Sequence, residues 1–279
     1  MNKTIIKSSI TKHLLALALL SIATFFSSLP WSLHGMNWGD SSMIFHFGNR
    51  LIHGTFPYID YPYQIGYLPI ILDGLAQQVF GEYYWASLLV SFTVKLATIL
   101  VFYFAFQQFT SRIISVVICA GLAFLNPILY NIGGSNYVNL FLASTILFFI
   151  LGFKTTDKKA SWLYILLAGF CLALIMGARQ SNAILCLLVT VGTILVYSLQ
   201  NLKKYWLTLI IPFCTGLFVG IGSLTGFLVL HNALFYAVKQ MFIDAGEKKN
   251  ISTLYSILDG LSGGIYGANI WNVRRFMIY

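Results

Sequence analysis

The chain has 279 residues, 58% of them hydrophobic and only 9% charged, with a formal net charge of +9 and a mean hydropathy of +0.80. Such a composition excludes a soluble globular domain and predicts an all-α, polytopic membrane helix bundle in which length counts spans rather than soluble domains. The basic residues sit in short connections between apolar runs rather than on one continuous patch, so nucleic acid is excluded as a partner and the charges read as topology signals.

Lys3, Lys7 and Lys12 precede the first apolar run, residues 14–33, which continues without a small-residue cleavage site. An uncleaved first span is therefore expected rather than a signal peptide. Residues 34–83 follow as a polar, aromatic first outer loop. Four of the chain's eight acidic residues, Asp40, Asp60, Asp73 and Glu82, lie in it. From Asp40 to His53, Met43, Ile44, Phe47 and Leu51 share one helical stripe while Ser42, His46, Asn49 and His53 share the other, which predicts a short interfacial helix. Pro57 and Pro62 forbid helix over residues 56–63 and impose an extended elbow. Residues 68–80, carrying Asp73, Gln77 and Gln78, predict a second interfacial helix too short to span.

A bilayer core about 30 Å thick needs roughly 20 apolar residues per helix. Six further runs suit that length, residues 84–109, 113–130, 138–153, 162–178, 182–199 and 205–230, giving seven spans with the first. An eighth run, 254–278, is interrupted by Asp259 and by Gly260, Gly263, Gly264 and Gly267, so the bundle is expected to hold about seven or eight spans in a single integral membrane domain, 1–279. With a cytoplasmic N-terminus, Lys3, Lys7, Lys12, Arg112, Lys154, Lys158, Lys159, Lys203 and Lys204 all fall inside. Residues 34–83, the turns 131–137 and 177–181, and the later loop 231–253 then share the outer face. Cys119, Cys171, Cys186 and Cys214 lie within apolar runs with no paired spacing and read as small hydrophobes.

In the first outer loop, Gly39-Asp40, Phe45, Asn49-Arg50-Leu51, Gly54, Pro57-Tyr58, Asp60-Tyr61, Leu68-Pro69 and Phe80-Gly81 occur in an order that resembles polyprenyl-phosphate-sugar-dependent glycosyltransferases of the class C fold. The likeness is to the bacterial group related to protein mannosyltransferases and to the aminoarabinose transferase of lipid A. Gly54-Thr55-Phe56-Pro57-Tyr58-Ile59-Asp60 matches that group's Gly-x-x-Pro-Tyr-x-Asp elbow. Two departures stand beside the match. Tyr67-Leu68-Pro69 occupies the place of a Lys-Pro-Pro found in many members, and members are usually longer, with several more spans. The 279-residue chain alone is therefore expected to bind donor weakly or to be inactive.

The resemblance implies a transferase in the bacterial plasma membrane. It would take its sugar from a polyprenyl-phosphate donor and pass it to an envelope glycan, lipid or protein acceptor on the outer face. Asp40 would be the general base, although an Asp opening a helix is also a good N-cap. Arg179, followed by Gln180, would hold the donor phosphate, although an Arg at a helix end also snorkels to headgroups. Asp60 suits acceptor or metal contact, or its own turn. Lys95, midway along its span, must face the bundle interior, where it pairs structurally or approaches the donor. His34, His46 and His53 match no metal-ligand spacing. No metal site or cofactor is expected, and dependence on a divalent cation stays open. The reading from another class is a transporter or lipid flippase, and a third is a shortened, inactive relative.

Overall fold

The computed structural model describes residues 3–33, 40–63, 66–125, 134–199 and 209–244, and among them the chain is all-helical. Helix α1 spans Lys3–Leu33, and the two interfacial helices are α2, Asp40–Ile52, and α3, Leu68–Phe80. The long helices follow as α4 (Tyr84–Phe106), α5 (Arg112–Leu125), α6 (Gly134–Lys154), α7 (Lys158–Ala178), α8 (Gln180–Leu199) and α9 (Ile211–Leu230). The short α10, Leu234–Val238, runs into a π-helical turn, Lys239–Asp244. Over their described residues, the seven apolar runs that read as spans are helical apart from the turn at 107–109. By described length and apolarity four of them, α4, α6, α7 and α9, suffice to cross a membrane. The eighth run lies outside the described residues.

The outer surface of the bundle is apolar, as lipid contact requires. Ile113 and Val117 on α5, Leu188 and Val189 on α8, and Phe218 on α9 are all exposed. Inside, α7 is the central helix, packed along both α6 and α9. Small residues permit this: a methyl group added at Gly216 would run into the Leu166 carbonyl, and one at Gly169 into the Phe213 carbonyl, so the two backbones meet face to face. A second core gathers Leu20 of α1, Ile99 and Tyr103 of α4, and Cys119 and Ala123 of α5.

Three boundaries moved from the sequence expectation. Residues 134–137, read as turn, form the first turn of α6, and Asn136 and Tyr137 are buried there. Helix α7 starts at Lys158 because Asp157 caps it, its carboxylate accepting the Lys159 N–H at 3.0 Å. The first part of 231–253, read as loop, is α10 and the π-helical turn.

The bundle has two chemically distinct ends. At one, Arg112 of α5 donates to His13 Nε2 of α1 at 2.7 Å, which leaves Nδ1 as the protonated nitrogen facing the Tyr103 hydroxyl at 3.4 Å. Lys154 caps this end, donating to the Gln108 carbonyl and lying over the Phe109 ring. At the other end, the first loop, the start of α6, the α7–α8 junction and the close of α9 come together.

Candidate functional site: the elbow end of the bundle

The elbow departs furthest from regular backbone. Tyr58 carries a φ of 74°, a left-handed conformation that side chains with a Cβ rarely adopt, and its ring is buried at 1% exposure. Such a residue costs about 1–3 kcal/mol of strain and persists only where its surroundings over-determine it. Here they do. The Tyr58 N–H donates to the Tyr61 carbonyl at 3.0 Å, and the Asp60 N–H donates to the Phe56 carbonyl at 3.0 Å. Asp60 also accepts the Phe56 N–H on Oδ2 at 2.5 Å. Asp60 therefore closes the elbow, while its side chain stays exposed.

The rest of the clamp comes from the far side of the sequence. Gln240, in the π-helical turn, donates through Nε2 to the Tyr58 carbonyl at 2.7 Å and accepts the Tyr63 N–H on Oε1 at 2.8 Å. One amide thus satisfies two backbone groups that the proline-rich elbow leaves without ladder partners. The Tyr67 hydroxyl donates to the Leu224 carbonyl of α9 at 2.7 Å, and its ring stacks on Phe227. Phe56 stacks on His231 with ring centroids 4.4 Å apart. Burial raises the Tyr58, Tyr61 and Tyr67 phenols well above the ordinary tyrosine range, so all three act as neutral hydrogen-bonding rings.

The elbow also reaches the α7–α8 junction. Gly66 lies against the Gly177 carbonyl so closely that no side chain fits between them. Just beyond, Arg179 is the single residue separating α7 from α8, in an extended conformation (φ −160°, ψ 104°). Its N–H donates to the Ile175 carbonyl and its own carbonyl accepts from Ala183, so it closes one helix and opens the next. Its guanidinium donates from Nη1 to the Ser135 hydroxyl of α6 at 2.8 Å. The remaining guanidinium donors form the kind of planar fork that binds phosphate. Gln180, the first residue of α8, lines an apolar cleft of about 80 Å³ together with Met176, Ile184, Leu187 and Leu217.

The sequence-derived candidates thus divide. Asp60, Arg179 and Gln180 lie at the elbow end. Asp40 is the first residue of α2, and its side chain lies outside the described residues. Lys95 is elsewhere, buried midway along α4, where its ammonium donates to the hydroxyls of Ser27 at 2.8 Å and Ser28 at 3.3 Å on α1. His46 on α2 and His53, just past its end, are exposed, and His53 pairs with Glu82 at 3.1 Å. The Asn49 amide donates to the same carboxylate at 2.7 Å. This bond first, then the one from His53, holds Glu82 below the usual carboxylate pKa. Among the described residues no cluster of three His, Cys, Asp or Glu side chains could hold a metal. Gln240 was not foreseen from the sequence, which offers no motif around it. The one usable signal was that the elbow needs outside partners for its backbone. Comparison of the chain with protein-family profiles, with curated proteins and with solved structures finds no match.

Proposed function

We propose that this protein is a membrane glycosyltransferase that moves a sugar from a polyprenyl-phosphate donor to an acceptor at the elbow end of the bundle, on the non-cytoplasmic face. The single observation that carries the reading is the order Asp40, Gly54-x-x-Pro57-Tyr58-x-Asp60 and Leu68-Pro69 behind the first span. Support comes from the way this stretch is built: a strained elbow pinned from three directions, seated against the one-residue junction that bears Arg179. In the reaction, an acceptor hydroxyl attacks the anomeric carbon from the face opposite the phosphate and its proton passes to the Asp40 carboxylate. The bond from the anomeric carbon to the phosphate oxygen breaks, and polyprenyl phosphate leaves with inversion at carbon. Arg179 meets the phosphate charge as it grows, with Gln180 beside it and Asp60 on the acceptor side.

A transporter or lipid flippase is favoured by one observation, the buried Lys95, because ionisable groups inside spans often mark a transport path. Transfer and transport separate in one experiment. Membrane vesicles from cells that express the protein, supplied with labelled polyprenyl-phosphate sugars, are expected to release polyprenyl phosphate. Asp40→Asn should slow that release by about 10²-fold or more while donor stays bound. Movement of label across the bilayer with the sugar–phosphate bond intact overturns the transferase reading.

A further inference from the structure

Asp73, a buried group that the proposed transfer does not use, sits on α3 with 0% exposure. Its Oδ2 accepts from Gln77 Nε2 at 2.6 Å, and the same amide nitrogen donates to the Phe45 carbonyl of α2 at 2.9 Å. Helix α2 rests directly on the carboxyl: a methyl group at Gly48 would stand 2.6 Å from Oδ2. Oδ1 has no hydrogen-bond partner among the described residues. The Ser87 hydroxyl of α4 stands beside the carboxyl without a bond of ordinary geometry, and the Tyr137 hydroxyl of α6 and Gln77 Oε1 are buried and unpartnered as well.

No cation faces this acid among the described residues. Helix α4 presents Tyr84 and α6 presents Tyr137, both close enough to feel its charge. Helix α2 presents Gly48 and the Phe45 carbonyl, its Arg50 lying over Tyr61, and His53 just past its end is paired with Glu82 at the surface. Helix α7 meets α3 where Gly177 lies against Leu68. An ionised Asp73 would thus be a buried, unpaired anion, which is strongly disfavoured. Protonation removes the charge and turns Oδ1 into a donor that Ser87 can accept.

We propose that Asp73 is a proton-binding latch. With a proton on Oδ1, the acid, Gln77 and Ser87 join α2, α3 and α4 in one hydrogen-bonded bridge; without it, an unpaired anion loosens α2 from α3. Helix α2 begins at Asp40, so the latch bears on the proposed base, yet it stands apart from the transferase reading because it is tested without turnover. Burial raises the Asp73 pKa, against the opposing influence of the Ser87 and Gln77 side chains. Because the folded state then holds the proton more tightly than the unfolded chain, the stabilisation is full below the ordinary aspartate pKa. It is lost as pH rises through the raised value.

The test compares melting of the full-length chain and Asp73→Asn in detergent across about pH 4 to 8. Wild type should lose about 3–5 °C for each pH unit within the window between the two pKa values and then level off, whereas Asp73→Asn, neutral throughout, should lack that decline. Parallel profiles overturn the latch. Should Asp73→Asn fail to fold, infrared spectra of wild type carrying labelled aspartate decide instead. A protonated-carboxyl band that persists above the ordinary aspartate range supports the latch, and its absence there overturns it.

Discussion

At one end of the bundle His13, Arg112 and Lys154 bind ring nitrogens and helix-end carbonyls, and Lys158 and Lys159 add charge in the same connection. At the other, Asp60 closes a strained elbow pinned by Gln240, Tyr67 and a glycine contact, with Arg179 at its edge, Asp73 on α3 and Glu82 just beyond it. The cationic end needs no bent backbone and uses long side chains of the kind that fix topology in any multi-span protein. The elbow end holds Tyr58 at φ 74° and buries a carboxylate with an open oxygen. Features of that kind cost stability and are kept where the geometry does something. The contrast locates the candidate chemistry at the elbow end.

Substitutions at the two ends should therefore differ in effect. The largest effect on lipid-phosphate binding is expected at Arg179. Losing its charge-assisted bonds should weaken binding of a polyprenyl phosphate by about 10–100-fold in Arg179→Ala, measured by native mass spectrometry of the full-length chain. Arg179→Lys should recover only part of that loss, since it keeps the charge and loses the planar fork. Next comes Gln240→Ala, which leaves the Tyr58 carbonyl and the Tyr63 N–H unpaired in a partly buried site. Roughly 2–3 kcal/mol should be lost, with hydrogen exchange at Tyr63 rising ahead of global unfolding.

Effects shrink away from the elbow. Lys154→Ala at the cationic end should change lipid-phosphate affinity by less than about 2-fold, because its contacts are exposed and solvent-screened. Glu82→Gln should be smallest. The lowered Glu82 pKa predicts a slight gain in stability present above the ordinary glutamate pKa and lost as pH falls through the lowered value. Wild type should melt slightly above Glu82→Gln near neutral pH, and the two melting curves should converge in acid.

Much of this arrangement was legible in the sequence. The stripe Met43, Ile44, Phe47 and Leu51 gave α2, and Pro57 and Pro62 gave a non-helical elbow. The polar residues of 68–80 marked a helix too short to span, now α3. Those signals are local, set by periodicity and by proline's missing donor. What stayed hidden depends on partners distant in sequence. Gln240 is an ordinary residue until the elbow turns two backbone groups toward it. Gly216 and Gly169 have no visible role until α7 and α9 are side by side. Asp73 read as one of several polar residues on a short helix, and only tertiary packing removes it from water.

On the proposed reading the elbow end, rather than the cationic end, takes a lipid phosphate. Photo-crosslinking tests it directly, using a polyprenyl phosphate that carries a diazirine beside the phosphate, with the full-length chain in nanodiscs and peptide mapping of the adducts. Adducts are expected in 56–67 and around Arg179 and Gln180, reduced by excess unlabelled polyprenyl phosphate and by Arg179→Ala. Adducts concentrated around Arg112 and Lys154, or an elbow-end pattern unchanged in Arg179→Ala, would contradict it.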